Sequence, residues 1–173
     1  MSCRPAVAGD AEGLARVWIA AWQAAYAGLM PAEYLASLDV AKATARPRRA
    51  LPADQAVLVL ELGGEIAGFA RFGASRDPGA SKETGEIMAI NLHPKWWRQG
   101  HGRELLAASV ARLAEAGYSE ATLWVLAGNA RARRFYESLG WTADGSEKQD
   151  DALTGFPLHE VRYRLPLPRP PAQ

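Results

Sequence analysis

The chain has 173 residues, with 20 Lys and Arg against 19 Asp and Glu and 49% hydrophobic residues, the size and balance of one compact domain. A net charge of +1 argues against a protein dedicated to nucleic acid, since a phosphate backbone selects a strong basic excess. The single cysteine, Cys3, excludes an internal disulfide, no Cys/His cluster has metal-ligand spacing, and the longest uncharged stretch, Val17 to Ala32, is interrupted by Gln23, Gly28 and Pro31 and falls short of the roughly 20 apolar residues of a membrane span.

A short extended start near Arg4–Val7 leads to Asp10, a residue type that caps helices. Leu14, Val17, Trp18, Ala21, Trp22 and Ala25 follow at the i, i+3, i+4 spacing of a core-facing helix. Gly28 and Pro31 end it, and Pro31 to Leu38 predicts a second, short helix with proline in its first turn. From Asp39 to Asp54 the chain is rich in Ala, Arg and Pro, with Lys42, Arg46, Arg48 and Arg49, the composition of a solvated connector or frayed helix. Gln55–Leu62 carries the continuous apolar run of a strand covered on both faces, Gly63-Gly64 predicts a two-residue turn, and Glu65–Phe72 is the hairpin partner. Asp77-Pro78-Gly79 marks residues 73–83 as a loop that hands over to a strand at Gly85–Leu92.

From there strand and helix alternate: Gly85–Leu92, Gly100–Glu115, Glu120–Leu126 and Ala130–Ser138. Gly102, Leu106, Val110 and Leu113 predict the buried stripe of the first helix, while Gly117 and Gly140 fall where left-handed residues end helices. Trp141 and then His159–Leu165 read as strand, before Pro166, Pro168, Pro170 and Pro171 end regular structure. Two successive βα units imply an α/β fold whose central strands pair inside a mixed sheet. The expected organisation is a single domain over residues 1–165 and a Pro-rich tail over 166–173, expected to be mobile.

Gly100-His-Gly102 stands at a strand-to-helix turn, where glycines let the backbone approach an anion while free N–H groups and the helix dipole supply partial positive charge. A pyrophosphate fits such a turn; a plain tight turn also explains two glycines. No Gly-x-x-x-x-Gly-Lys-Ser/Thr is present, and Leu105 replaces the third glycine of a dinucleotide fingerprint.

Trp97-Arg-Gln-Gly100-His-Gly102 resembles the phosphate loop of the GNAT superfamily of acyl-CoA-dependent N-acetyltransferases, Gln/Arg-x-x-Gly-x-Gly/Ala, with Trp97 at the Gln/Arg position. Downstream, Asn129-Ala-Arg-Ala132-Arg-Arg-Phe135-Tyr136-Glu-Ser-Leu-Gly140-Trp141 is similar to that family's Asn-x-x-Ala-x-x-Phe-Tyr-x-x-x-Gly-Phe segment. Arg4-Pro-Ala with Asp10, Trp22 and Tyr26-Ala-Gly-Leu-Met-Pro looks like the opening of many members, and Arg162-Tyr-Arg-Leu like the closing strand. The resemblance implies a GNAT-like single domain with a central twisted mixed sheet of about six to seven strands and about four flanking helices. It implies acetyl-CoA as acyl donor, with pantetheine along the strand at Ile90 and Leu92 and pyrophosphate on Arg98, Gln99, Gly100, His101, Gly102 and Arg103. Asn129 is then both a helix cap and a cofactor contact.

The implied reaction is direct attack by a primary amine of a small molecule or peptide on the thioester in a ternary complex. A lysine-like amine with a pKa near ~10.4 is neutral in only about one part in 2,500 at pH 7, a deficit of roughly 4.6 kcal/mol, so a general base has a substantial task. Glu86, on the central strand, is the first candidate, with Glu160 and His159 competing and a water relay as a further route. Tyr136 matches the family tyrosine that protonates the departing sulfur, and a backbone N–H near Ile90 is the expected oxyanion donor. Trp22 and Tyr26 are the expected acceptor-binding residues, and Trp96-Trp97 is a candidate contact for a homodimer, an assembly common in the family. The expectation is a cytoplasmic, metal-free enzyme with no nucleic-acid or membrane partner and no signal peptide before Asp10 and Glu12. A reading of another class also fits, a non-catalytic acyl-CoA-binding sensor or regulator.

Overall fold

The computed structural model describes residues 2–45 and 55–168. Arg46, Arg48 and Arg49 of the expected connector, and residues 169–173 of the expected tail, lie outside them. In chain order the elements are β1 (Ser2–Pro5), α1 (Ala11–Ala25), α2 (Ala32–Ser37), α3 (Val40–Ala45), β2 (Gln55–Leu62), β3 (Glu65–Ala74), β4 (Thr84–Leu92), α4 (His101–Glu115), β5 (Glu120–Leu126), α5 (Ala130–Glu137), β6 (Thr142–Asp150) and β7 (Leu158–Pro166). The seven strands form one sheet in the order β1-β2-β3-β4-β5-β7-β6. All pairings are antiparallel except β4 with β5. This is the expected mixed α/β architecture, with α3 making a fifth helix out of part of the segment read as connector.

Each element follows from its residues. The apolar run of β2 is covered on both faces, with Val59 and Leu60 both at 0% exposure. Gly63 (φ 58°) and Gly64 (φ 81°) take the left-handed geometry that a two-residue hairpin turn needs between strands of native twist. On one face of the sheet, Leu58, Leu60, Ala70, Phe72, Ile87, Ala121 and Leu123 pack against Leu105, Leu106 and Leu113 of α4 and Tyr136 of α5. Alternation along the strands turns Val59, Glu86 and Thr122 to the other face, the side on which α1 meets β3 and β4.

Four details differ from the sequence reading. Asp10 stands at the start of α1 but does not cap it: it closes a 3-10 turn, so its carboxylate points backward, accepting from the Val7 N–H at 2.7 Å and from Arg4 at 2.8 and 3.0 Å. In α4 the buried stripe takes Leu105 and Ser109 beside Leu106 and Leu113, and the Ser109 hydroxyl is satisfied by the Leu105 carbonyl at 2.8 Å. Trp141 is a buried core residue that precedes a strand rather than forming one. That strand, β6, carries no apolar alternation and forms as an edge paired to β7, with a register shift between Ala143 and Glu147.

The feature that creates the site is the junction of β4 with β5. They pair only from Thr84–Ile87 to Glu120–Leu123, then part, β4 staying with β3 out to Leu92 and β5 with β7 out to Leu126. Met88 bulges from β4, since Ile87 and Ala89 oppose the consecutive residues Phe72 and Arg71, and the bulge falls where the two strands diverge.

Candidate active site

The parted strands open a cleft of about 1110 Å³ between the end of α1, the edge of β4, and the first turns of α4 and α5. The His93 N–H bonds the Ala67 carbonyl across β3 at 2.8 Å. With the period of two in an antiparallel ladder, the backbone groups of Ile90 and Leu92 therefore face the cleft, while their side chains pack against the core. Backbone N–H and C=O groups on such an edge want partners, and an extended ligand carrying amides supplies them.

Beyond β4 a 3-10 turn at Pro94–Trp96 leads into the glycine-rich loop. Arg98 (φ 61°) and Gly100 (φ 88°) are both left-handed, so the chain turns tightly here, and turns of this kind are where backbone N–H groups form anion-binding concavities. Among the described residues, the amides of Arg98, Gln99, Gly100, His101 and Gly102 make no hydrogen bond within the protein. Gly102 is helical, and a methyl group there would meet only Phe135, at 3.6 Å, so the protein itself gives no reason for glycine at this position. The side chains of the loop divide. Arg98 and Arg103 line the cleft. Gln99 donates back to the Lys95 carbonyl at 2.9 Å, and His101 stands edge-on to Trp96 with Glu104 at 3.4 Å, so these two side chains are engaged away from the cleft.

Trp97, where the loop departs from the family pattern, has a visible task. Its indole N–H donates to the Leu92 carbonyl at 2.7 Å, and its ring carries the Arg131 guanidinium at 3.7 Å. It thereby takes one of the cleft-facing groups of Leu92 and ties the loop to the start of α5. Asn129 caps α5 by accepting from the Ala132 N–H at 3.1 Å; it is buried and borders the cleft.

Tyr136 reaches the cleft from the core, at 8% exposure, its ring against Phe135, Trp141 and Tyr163. Burial raises its pKa well above that of an ordinary phenol, and nearby Tyr26 adds to the rise. Trp18, Trp22 and Tyr26 form a ladder of rings, with centroids 5.2 and 5.1 Å apart, and all three border the cleft. The Tyr26 hydroxyl is pushed up to about 12 by burial and by the Glu160 carboxylate, with Arg131 opposing.

The carboxylates on the floor differ sharply. Glu86 is 1% exposed and fully engaged: Arg76 donates to it from its backbone N–H at 2.8 Å, from Nε at 3.2 Å and from Nη2 at 2.5 Å. Glu160 borders the same cleft with Lys148 Nζ at 3.4 Å. His159 faces Glu147 at 2.8 Å on the exposed side of β7, away from the cleft. Sequence reasoning missed Arg76 and Arg131. Arg76 lies in a loop whose composition says nothing of its partner, and Arg131 occupies a free position of the Asn129–Trp141 motif.

Residues 18–141 match the family model described as the Acetyltransferase (GNAT) family. Over 166 residues the chain is 31% identical to the uncharacterized N-acetyltransferase YuaI of Bacillus subtilis (strain 168), covering 96% of this chain and 93% of that protein. Among solved structures, the PaiA N-acetyltransferase of Thermoplasma acidophilum, in complex with coenzyme A, is similar with a TM-score of 0.75 at 19% identity, over 95% of this chain and 98% of that one. YncA of Salmonella typhimurium, solved with its cofactor acetyl-CoA, gives a TM-score of 0.66 at 23% identity, over 100% of this chain and 97% of that one. At these identities the two solved structures speak for the fold.

Proposed function

The chain belongs to the acetyltransferase (GNAT) family, and on that premise we propose that it moves the acetyl group of acetyl-CoA to a primary amine by direct attack in a ternary complex. One observation carries the reading: the unpaired edge of β4 runs straight into a loop of unpartnered amides, the shape of an extended amide-bearing arm ending in a pyrophosphate. Ile90 and Leu92 hold that arm, the Arg98–Gly102 amides hold the phosphates, Arg98 and Arg103 add charge, and Asn129 borders the arm while fixing α5. Acetyl-CoA supplies the acetyl group as a thioester, whose C–S bond breaks as the C–N bond forms.

The protein has three tasks in this reaction. A backbone N–H of β4 near Ile90 donates to the carbonyl oxygen as charge collects there. Tyr136 keeps its proton at neutral pH, because burial holds it on oxygen, and donates it toward the departing sulfur. Full transfer from so weak an acid to a thiolate, with a thiol pKa near ~8.5, is uphill unless the phenol is resupplied, so the proton leaving nitrogen replaces the one given to sulfur. The Arg76 pairing makes Glu86 a better anchor than base, since both its oxygens already accept from a cation that fixes the loop after β3 to the cleft floor.

Calorimetric titration with acetyl-CoA, followed by a free-thiol assay over a panel of amines, tests the reading. Saturable binding is expected, with about 2.7 kcal/mol of stabilisation at a hundred times Kd, together with amine-dependent thiol release. Tight binding without turnover on any amine favours a sensor of acyl-CoA. Absence of binding at millimolar cofactor sinks both.

A further inference from the structure

Glu160 lies on β7 opposite Leu126, past the last β4–β5 pair, where the strands have parted, and it borders the cleft. Its side chain is 20% exposed. Where Glu86 receives three donors, Glu160 has one cation within 4 Å among the described residues, Lys148 at 3.4 Å, and Lys148 is shared with Asp150 at 3.6 Å and with the face of Trp124 at 4.4 Å. The charged and titratable groups facing it are Lys148 and Asp150 from β6, Arg76 from the loop after β3, and Tyr26 from the end of α1. Tyr26 feels the charge of Glu160 and in turn influences Tyr136, and all three border the cleft. Burial raises the Glu160 pKa, Asp150 acting in the same direction against Lys148 and Arg76, so this carboxylate is a stronger base than an exposed one. The same cleft is bordered by the apolar side chains of Trp22, Met30, Leu153 and Leu158.

Building on the acetyltransferase reading, we propose that Glu160 receives the ammonium of the acceptor and takes its proton, and that the acceptor is a primary amine on an apolar body. The balance is simple. The ammonium loses one proton to the carboxylate, which returns it to solvent. The neutral nitrogen forms the C–N bond, the electron pair of the C–S bond leaves with sulfur, and the remaining excess N–H proton replaces the one that Tyr136 gives to sulfur. The products are an amide, a free thiol and one proton. Lys148, drawn also by Asp150 and Trp124, yields its loose contact to the arriving ammonium.

The test uses the full chain, acetyl-CoA and phenethylamine, comparing wild type with Glu160→Gln and Glu86→Gln across pH. In the wild type kcat/KM is expected to rise as Glu160 ionises and then level off below the pKa of the amine. Glu160→Gln is expected to lose about 10²-fold near neutral pH, and to recover about tenfold per pH unit as the amine deprotonates by itself, approaching the wild type in alkali. Its affinity for acetyl-CoA alone is expected to be unchanged, and it should melt no lower than wild type at pH 8. A carboxylate with a raised folded pKa contributes most to stability below its unfolded value near ~4.3, and that contribution is lost as pH rises through the folded value. Glu86→Gln should keep the wild-type shape of the profile. A deficit in Glu160→Gln that is constant across pH, or no deficit, overturns the assignment, as does a wild type inert toward millimolar phenethylamine. Failure of acetyl-CoA to bind the wild type, measured without any amine, overturns the acetyltransferase reading instead.

Discussion

Tyr136 belongs to the core and, in the proposed mechanism, to the chemistry as well. Its ring is held by Phe135, Trp141 and Tyr163, while among the described residues no protein group hydrogen-bonds its hydroxyl. Tyr136→Phe keeps the ring and removes only the proton donor. Its stability is therefore expected to stay within about 1 kcal/mol of wild type, since no hydrogen bond inside the protein is lost, and its turnover to fall by roughly 10²-fold or more. Thermal melting and steady-state thiol release check the two halves separately. An equally active variant would leave sulfur protonation to water. At this scale the sequence was legible where a residue's type dictates its task, as with the capping amide of Asn129 and the left-handed Gly117 and Gly140. It was opaque where the task depends on a partner brought in by the fold. Glu86 as a lone carboxylate on a strand reads as a base; with Arg76 wrapped around it, the same carboxylate reads as an anchor. Trp97 likewise is an anomaly in the loop motif until its indole is seen on the Leu92 carbonyl.

The first turn of α4 is an element whose composition opposes its own stability. A helical glycine costs about 1 kcal/mol relative to alanine, and at Gly102 nothing in the protein offsets that cost, because a methyl group there meets only Phe135 at an ordinary 3.6 Å. Gly102→Ala is therefore expected to raise the melting temperature of the free protein, by an amount equivalent to at most about 1 kcal/mol, and, in the proposed mode of binding, to weaken acetyl-CoA affinity, since Gly102 and its neighbour Phe135 both border the cleft. Differential scanning calorimetry with and without cofactor separates these effects. A stabilised variant with unaltered affinity would assign the glycine to neither purpose. Gly100 is a contrasting case: no atom lies within 4 Å of an added Cβ, and it is the φ of 88° that selects glycine. Elements with a strong period or a forced turn, such as the β2–β3 hairpin and the span of α4, were readable from pattern, although the buried stripe of α4 took Leu105 and Ser109 where Gly102 and Val110 were expected. β6 was not, because an edge strand of polar residues is held by main-chain pairing to β7 and by ion pairs such as Arg162 with Asp144 at 2.8 Å, neither of which leaves periodicity in the sequence.

At the scale of the molecule, the sheet is two antiparallel halves, β1 to β4 and β5-β7-β6, joined by the short parallel register from Thr84 to Ile87. The core beneath is continuous, with residues of both halves packed on α4 and α5. The halves are thus fixed at the base and parted at the cleft, and the cofactor's arm would act as a partial strand between them. Hydrogen exchange distinguishes this arrangement from simple surface binding. Without ligand, the amides of Ile90 and Leu92 and those of residues 98–102 are expected to exchange quickly, being unpaired, while those at the centre of β2 and β3 exchange only through larger openings of the structure. Saturating acetyl-CoA should slow exchange along both the β4 edge and the loop, leaving the order of protection within β2 and β3 unchanged. Protection of residues 98–102 alone, with Ile90 and Leu92 unaffected, would mean that the phosphates are held without the arm pairing to β4, and the parted strands would then serve the acceptor rather than the cofactor.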